Sequence, residues 1–412
     1  MNKEKKHKYS PAMWLAAAGR VFRNEWRLIM HDPGALLFFI VLPLLYPITY
    51  TLIYNPEVVK EMPVAVVDNS RSEASRRLVR NLGAAPQVEI GYYCADMAEA
   101  KDLFGSNKVF AILEIPEDYA KKIGRGEPAH ASFFAEMSLL LRYRGYLEAL
   151  TSVQLEEIST ITSEKLKGAG ISSAGVSGMP VEQHNNFIGD PGQGFASFIM
   201  PGIVVLILQQ GTLLGICFLY GTSRERRRRN HGYDPQEPKA PVGATLLGRA
   251  LCYVLMELPM LIYVTVVIPE MFALPHHGAI FDYVAFLLPM LLATAFMGQT
   301  LQVFCSERES AFLVVVFTSV VFLFLSGLTW PRYAMDGFFI WFGNLIPATH
   351  GIEGMIRINS NGATIHDCMP SFLWLWVLTA FYFVLSRWVL ARQRKYLPAM
   401  CRRAAVTHPD AR

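Results

Sequence analysis

The chain has 412 residues, of which 52% are hydrophobic and 17% are charged, and its mean hydropathy is +0.27. These values argue against a protein made only of soluble domains, in which about a quarter of the residues carry a charge. The formal net charge of +4 is small, so the distribution of charge along the chain is more informative than its sum.

The six cysteines show no spacing typical of a metal site. Cys217, Cys252 and Cys305 fall in or beside apolar segments, where we expect them to pack as small hydrophobic side chains. A disulfide between Cys94 and Cys368 stays open at this point, because sequence alone does not place two cysteines near each other.

Residues 12–30 are predicted to form an amphipathic helix. One face is apolar and contains Trp14 and Trp26. The other face carries, at helical spacing, Arg20, Arg23, Asn24 and Arg27. A basic face opposite a tryptophan-containing face is typical of a helix in the membrane interface, although a soluble surface helix is the alternative. A Pro-Gly pair then ends the helix within an N-terminal region of residues 1–34.

Six apolar segments are long enough to cross about 30 Å of hydrocarbon. They are residues 35–54, 195–220, 243–268, 283–304, 311–329 and 371–391. This pattern predicts a polytopic α-helical membrane protein with six transmembrane helices.

Lysine and arginine are concentrated in alternate loops. They are abundant before the first span, between the second and third spans at 221–242, and after the sixth span at 392–412. They are absent between the third and fourth spans and scarce between the fifth and sixth. The positive-inside rule therefore predicts that both termini are cytoplasmic and that residues 55–194 are extracytoplasmic. We expect the cell inner (cytoplasmic) membrane as the location.

Residues 55–194 are predicted to form one extracytoplasmic α/β domain. The expected strands are 63–68, 87–93, 109–115 and 129–135, and the expected helices are 72–82, 96–104, 117–123 and 138–167. Because strands and helices alternate, we expect a compact domain with a mixed sheet. Residues 168–180 are rich in glycine and serine and predict a flexible loop. No catalytic motif is recognisable in this domain.

Residues 330–370, between the fifth and sixth spans, are moderately apolar but are interrupted by glycines and prolines. They are too polar and too interrupted for a seventh span. We expect short helices that re-enter the outer leaflet.

Five polar side chains lie inside or at the ends of the predicted spans: Gln209, Gln210, Glu257, Gln299 and Gln302. Polar groups within a membrane are costly, so they call for a functional or structural explanation. They either line a substrate path or form hydrogen bonds between helices. The interhelical role is favoured for the glutamines, whereas both interpretations stay open for Glu257.

The chain offers no recognisable site for ATP, a metal ion or catalysis. Residues 243–250 have the glycine spacing of a phosphate-binding loop, but Arg249 replaces the lysine and Ala250 replaces the hydroxyl residue. The outer histidines and acids match no compact metal-ligand spacing. They are His276, His277, His350, Glu353, His366 and Asp367. If ATP drives this protein, a separate subunit must bind it.

The densest basic run is residues 224–229. In a soluble protein such a run would indicate nucleic-acid binding. Between two membrane spans it is better explained as a cytoplasmic anchor facing anionic lipid headgroups. We therefore expect contact with membrane lipids and no nucleic-acid partner.

Several groups of residues, spread over nearly the whole chain, occur in the order and spacing of a known family. They are 24–33, 64–68 with Ser75 and Arg76, 111–119, Ser326 and Gly327 with Pro331, and 347–350 with Arg357. Together they resemble permeases of the type-2 (ABC-2) exporter class of ABC transporters, in the branch with a large extracytoplasmic domain between the first two spans. One segment departs from the class. Its common Arg-Glu-Arg-Glu-x-Gly-Thr element is represented here by Arg224-Glu225-Arg226 followed by three further arginines.

The resemblance implies the membrane-spanning permease subunit of an ATP-driven exporter, moving an amphipathic, lipid-like or drug-like substrate. It implies cytosolic ABC ATPase subunits that hold ATP and Mg²⁺, no cofactor on this chain, a second permease copy or sibling permease, and a periplasmic adaptor in a Gram-negative cell. It assigns coupling to the ATPase to Arg224, Glu225, Arg226, Arg227, Asn24 and Glu25. It assigns an outer gate or re-entrant segment to Ser326, Gly327, Pro331, Pro347, Thr349 and Arg357.

Two other functions are compatible with parts of the sequence. A membrane-anchored sensor or assembly protein would use the outer domain to bind a ligand or partner protein, but it predicts a cytosolic signalling domain, and the inner segments are short. An intramembrane enzyme would use Glu257 or the outer histidines, but no catalytic constellation is recognisable. We therefore expect a transport subunit rather than an enzyme.

Overall fold

The structure, a computed structural model of the chain, describes residues 10–54, 59–168, 194–230 and 234–407. Two compact units are present: Met1–Asn55 with Phe187–Arg412, and Pro56–Asn186. We call the first the membrane unit and the second the inserted unit. The predicted flexible loop at 168–180 lies, after its first residue, outside the described residues.

The described elements follow one another in this order. The membrane unit begins with α1 (Pro11–His31) and α2 (Pro33–Tyr54). The inserted unit contains β1 (Met62–Asp68), α3 (Glu73–Ala84), β2 (Val88–Tyr93), α4 (Met97–Gly105), β3 (Ala111–Ile115), α5 (Tyr119–Arg125), β4 (Ser132–Ala135) and α6 (Leu140–Gly168). The membrane unit then resumes with α7 (Phe195–Arg229), α8 (Val242–Met271), α9 (Ile280–Leu301), α10 (Arg308–Leu325), α11 (Gly337–Gly343), α12 (Pro347–Asn361) and α13 (Met369–Thr407).

Among the described residues, six helices are long and apolar enough to cross a membrane: α2, α7, α8, α9, α10 and α13. Each corresponds to one predicted span, so the predicted class of polytopic α-helical membrane protein is confirmed. Two details were not predicted. α2 and α8 each contain a π-helical turn, at Leu37–Val41 and Tyr263–Val267.

The helix α7 is the centre of the membrane unit. Within its most apolar window 83% of the residues are buried, against 28% in α2 and 22% in α10 and α13. It packs against α2, α9, α10 and α12. The exposed apolar faces of α2, α10 and α13 must meet lipid or another chain, because a water-facing surface does not carry such large apolar patches.

The junction of α1 and α2 is a capped elbow. Ser10 begins α1 by accepting the Met13 N–H at 3.3 Å. Asp32 follows the end of α1 and accepts the backbone N–H groups of Gly34 and Ala35, which begin α2. The helix break predicted here therefore has a specific cause, which is one carboxylate that satisfies the free donors of the second helix.

Two helices extend beyond their predicted ends. The prediction ended the second span at 220 and placed a loop at 221–242, but α7 continues to Arg229. The helix that contains the sixth span continues to Thr407, through most of the predicted tail of 392–412. Arginine has a high helix propensity, and positive charge near a helix C-terminus is favourable. A basic segment that ends a hydrophobic span therefore does not end the helix.

The segment between α10 and α13 contains the predicted short helices, α11 and α12. The start of α12 lies beside Gln209, in the middle of α7. Its end lies beside the α8–α9 connection, where the His277 N–H donates to the Asn359 carbonyl at 3.0 Å. α12 therefore runs alongside the half of α7 that begins at Phe195.

The inserted unit is built on a four-stranded mixed sheet in the order β2-β1-β3-β4. β1 is parallel to β2 and β3, whereas β3 is antiparallel to β4. Alternate residues of β1 face opposite sides. Val64 and Val66 pack with α3 and α6, and Ala65 and Val67 pack with α4. Because helices cover both faces, β1 is apolar along most of its length, and the predicted α/β domain is confirmed.

The five cysteines whose side chains are described are all free and buried. Cys217, Cys252 and Cys305 lie in the hydrophobic core of the membrane unit, as expected. Cys94 and Cys368 belong to different units and do not form the disulfide that the sequence left open.

Candidate functional site

One end of the membrane unit contains a set of charged residues that join helices distant in sequence. It comprises α1, the C-terminal part of α7 (220–229), segment 234–241 and the first turns of α8 and α10. We call it the arginine end. Residues 231–233, within the predicted coupling loop, lie outside the described residues.

The helix α7 contacts the start of α10 closely at Gly221. A Cβ atom added to Gly221 would lie 2.6 Å from the Glu307 carbonyl oxygen and 2.7 Å from the Arg308 nitrogen. One turn later, Glu225 accepts the Arg308 N–H at 3.0 Å. That N–H belongs to the first residue of α10, so Glu225 acts as a helix cap supplied by a neighbouring helix.

The Arg308 side chain joins this contact to the elbow between α1 and α2. Its Nη2 donates to both oxygens of Asp32, at 2.8 and 2.6 Å. Its guanidinium lies 4.4 Å from the centre of the Phe218 ring on α7. Arg308 and Asp32 thus connect α10, α7 and the first span at one point.

A second charged contact fixes α1 on α8. Glu25 is 3% exposed and accepts the Tyr253 hydroxyl at 2.5 Å and the Arg249 Nε–H at 3.3 Å. The Arg249 side chain is also largely buried, at 11% exposure. Two buried opposite charges are stable only together, because either one alone would be left without compensation.

Segment 234–241 is held against α7 by Asp234. Its carboxylate accepts from the Ser223 hydroxyl at 2.6 Å and from two nitrogens of Arg226 at 3.1 Å each. Burial raises the pKa of Asp234, but the hydrogen bonds from Arg226 and Ser223 outweigh it, so the pKa of this carboxyl lies below its usual range. The segment also reaches α1, because Asn24 Nδ2 donates to the Gln236 carbonyl at 2.7 Å.

The residues predicted to couple to an ATPase all lie at this end, but they are not equally accessible. Glu25 is buried and points into the bundle, because it pairs with Arg249. Glu225 and Arg226 are half-buried and engaged within the chain. Arg227 pairs with Glu237, and the Arg224 guanidinium lies 5.4 Å from the Tyr220 ring centre. The exposed arginines are Arg20, Arg23, Arg27, Arg228 and Arg229.

Four residues of this network were not predicted: Asp32 as an ion-pair partner, Asp234, Arg249 and Arg308. A signal for one of them, Arg249, and for its partner Glu25 exists in the sequence. Arg249 is a charge within an apolar span, and Glu25 interrupts an otherwise apolar stripe of α1. A charged side chain on an apolar face indicates an ion-pair or hydrogen-bond partner within the protein. The sequence does not identify that partner.

The polar residues within the spans divide into two groups. Gln209 accepts the Ala348 N–H at 2.8 Å at the start of α12, and Gln299 donates to the Leu246 carbonyl at 3.3 Å. These two side chains therefore join helices, and the remaining polar atom of each, Gln209 Nε2 and Gln299 Oε1, has no partner among the described residues. Glu257 bonds Thr212 on α7 through one oxygen at 3.1 Å. Its other oxygen, both side-chain atoms of Gln210 and the Gln302 Nε2 have no partner among the described residues.

The predicted outer gate residues lie in and around the α10–α12 connection. Ser326 ends α10 and accepts the Leu328 N–H at 3.2 Å, and Gly327 has a φ of +87°, which favours glycine. Pro331 precedes a 3₁₀ turn and Pro347 is the first residue of α12. Thr349 is buried in the first turn of α12, and Arg357 donates to Glu353 at 3.0 Å.

Within the described part of the chain, no three His, Cys, Asp or Glu side chains are grouped as a metal site. His350, one of the residues considered for such a site, stacks on Trp374 with ring centres 5.8 Å apart. Burial, assisted by the charge of Arg332, lowers the pKa of His350. This histidine is therefore explained by packing.

These features define a multi-pass membrane protein with an α/β unit inserted after the first span. The sequence matches the family described as ABC-2 family transporter protein over residues 34–388. The chain belongs to this family and is a membrane component of an ABC transporter. It is also similar to ABC transporter G family member 20 of Dictyostelium discoideum, at 27% identity over 213 residues, which cover 50% of this chain and 28% of that relative. The match therefore spans less than a third of the relative's length.

Proposed function

We propose that this chain is the membrane-spanning permease subunit of an ATP-driven ABC exporter. Separate cytosolic ABC ATPase subunits bind ATP and Mg²⁺ and dock at the arginine end, and this chain holds no cofactor of its own. The substrate is amphipathic, lipid-like or drug-like and leaves the cytoplasm or the inner membrane. Membership of the ABC-2 transporter family supports this proposal.

In the proposed orientation, the arginine end and both termini are cytoplasmic and the inserted unit is extracytoplasmic, in the inner membrane. The concentration of exposed arginines on α1 and at the end of α7 supports this orientation, because cytoplasmic loops carry an excess of positive charge. A periplasmic adaptor protein would then meet the inserted unit.

The observation that carries the proposal is the set of contacts made by the end of α7. Glu225 joins it to α10, and Arg308 continues that connection to Asp32 and the first span. Asp234 joins it to segment 234–241, which Asn24 connects to α1. An ATPase that displaces residues 220–229 would therefore move several helices together, as expected of a rigid-body transition.

Within this proposal the arginine-end residues have different roles. Arg228 and Arg229 are exposed and suit direct contact with the ATPase. Glu225 and Arg226 transmit the movement within the chain. Glu25 acts indirectly, because it holds α1 on α8 through Arg249.

A second permease copy or a sibling permease would pack against α10. Its exposed apolar residues recur at helical spacing and include Leu313, Val316, Phe317, Val320 and Phe324. The substrate path would pass Glu257 and Gln210, whose unpartnered buried atoms are costly unless another molecule satisfies them.

The test is reconstitution of the chain with its co-purified ATPase subunits in liposomes. We expect the chain to change ATP hydrolysis and to support ATP-dependent movement of a fluorescent amphipathic dye or phospholipid. Glu225→Gln should weaken the coupling of hydrolysis to transport, whereas Glu309→Gln, an exposed acid at the same end, should not. The proposal is wrong if no ATPase co-purifies with the chain, or if the chain leaves the rate of ATP hydrolysis unchanged. If Glu225→Ala and Glu257→Gln both leave transport unchanged, the coupling role of Glu225 and the place of Glu257 on the substrate path are both wrong.

A further inference from the structure

A small cavity lies at the arginine end, between α1, the end of α7, segment 234–241 and the start of α8. Its volume of about 20 Å³ is enough for one group of the size of a water molecule. The exposed Gln236 forms part of its wall, so the cavity opens to the surface on that side. A small solute therefore has access to it.

Two buried side chains in the lining have an atom without a hydrogen-bond partner among the described residues. They are Tyr220, through its hydroxyl, and Gln302, through Nε2. Arg249 also lines the cavity. Within the described part of the chain it bonds Glu25 through Nε, which leaves the two terminal nitrogens of its guanidinium for another acceptor. An amide N–H and a guanidinium only donate, and a tyrosine hydroxyl also donates, so these three side chains require a hydrogen-bond acceptor.

The ion pairs around the cavity leave positive charge in excess. Three carboxylates line the cavity, and each of them is already paired with a guanidinium. The pairs are Glu25 with Arg249, Asp234 with Arg226, and Glu237 with both Arg227 and Arg394. Four positive charges in these pairs therefore share three negative ones. The acceptor that suits this cavity is an anion, because a buried charge is stable only when it is compensated.

We propose that this cavity is a binding site for one small inorganic anion, of which chloride is an example. The guanidinium of Arg249 supplies the charge, and the Tyr220 O–H and the Gln302 N–H donate to the anion. The small volume favours a monatomic anion over a carboxylate on a carbon chain. Because these three residues belong to α8, α7 and the turn that follows α9, the anion joins three parts of the membrane unit and stabilises its folded state.

The test is unfolding of the purified full chain by sodium dodecyl sulfate in mixed micelles, in sodium chloride or in sodium gluconate at the same ionic strength. Gluconate is too large for the cavity. We expect chloride to raise the unfolding midpoint and the effect to saturate. At a chloride concentration about 100 times its dissociation constant, the ratio of folded to unfolded chain should be about 100 times that in gluconate.

The variants separate this site from a general effect of salt. Tyr220→Phe and Gln302→Leu each remove one donor and should lower the chloride effect, and the double variant should abolish it. Thr294→Val is the matched control, because it removes a buried unpartnered hydroxyl outside the lining of the cavity, and it should retain the effect. In crystals of the wild-type chain grown with sodium bromide, we expect an anomalous scattering peak in the cavity.

Equal stability of the wild-type chain in the two salts, or bromide crystals without a peak in the cavity, would mean that the cavity holds water alone and would overturn the proposal. A chloride effect that persists in the double variant would place the anion elsewhere and would overturn the site. If the variants do not fold, the bromide position in the wild-type chain decides. None of these measurements requires an ATPase, so their outcome is independent of the proposed function.

Discussion

Removal of the Glu25 carboxylate is the sharpest test of how α1 is attached to the membrane unit. In Glu25→Ala, Arg249 keeps its charge in a buried position and the Tyr253 hydroxyl loses its acceptor. The Arg249 side chain is 11% exposed, so water compensates for little of this loss. We expect α1 to separate from α8 or the whole unit to lose stability.

The expected magnitude follows from the burial of both partners. Breaking a buried ion pair by removing one partner costs about 3–5 kcal/mol. Replacing both partners, as in Glu25→Leu with Arg249→Met, leaves no uncompensated charge and is expected to be within about 1 kcal/mol of the wild type or more stable. Tyr253→Phe removes one hydrogen bond to a charged group and should cost about 1.5–3 kcal/mol.

The assay is unfolding of the purified chain by sodium dodecyl sulfate in mixed micelles, followed by tryptophan fluorescence. Trp14 and Trp26, two of the seven tryptophans that contribute to this signal, lie on α1. Glu309→Gln is the matched control, since an exposed acid should change the free energy of unfolding by no more than about 0.5 kcal/mol. If Glu25→Ala is no more destabilising than the double variant, the buried-charge reasoning is wrong.

Three further predictions concern neighbouring contacts. Gly221→Ala should force α7 away from Glu307 and lower both stability and ATPase coupling, whereas Gly19→Ala, which meets nothing within 4 Å, should be neutral or stabilising in the same unfolding assay. Gln209→Leu leaves the buried Ala348 N–H without its acceptor and should cost about 1–3 kcal/mol in that assay. Because the folded pKa of Asp234 is depressed, its contribution to stability is present above the usual carboxyl pKa and is lost as pH falls through the folded value, so the protection factors for amide exchange in segment 234–241 should fall only in acid.

Each of these has a contradicting result. Unchanged stability in Gly221→Ala would mean that α7 and α10 adjust at no cost. A Gln209→Leu variant as stable as the wild type would show that water or another group satisfies the start of α12. Loss of protection near neutral pH would point to a group other than Asp234.

The elements of the fold were largely predictable because their signals are local. Six long apolar runs are sufficient to indicate six spans, since a segment of that composition is unstable in water. In the inserted unit, the apolar run of β1 and the Ser-capped helix that follows it are both recognisable, and their observed bounds, Met62–Asp68 and Glu73–Ala84, differ from the predicted ones by only one or two residues. The end of α7 was predicted nine residues too early because charge was taken as the end of the helix.

The sequence by itself determined the class of protein, the number of spans and the alternation of strands and helices, because these depend on the hydrophobicity and periodicity of neighbouring residues. Only the tertiary structure decided which charges meet. Glu25 and Arg249 are 224 residues apart, and Asp32 and Arg308 are 276 apart. At such separations a pairing depends on how the helices pack, and no local pattern records it. For the same reason, only the structure identifies Arg249 on α8 as the buried partner of Glu25.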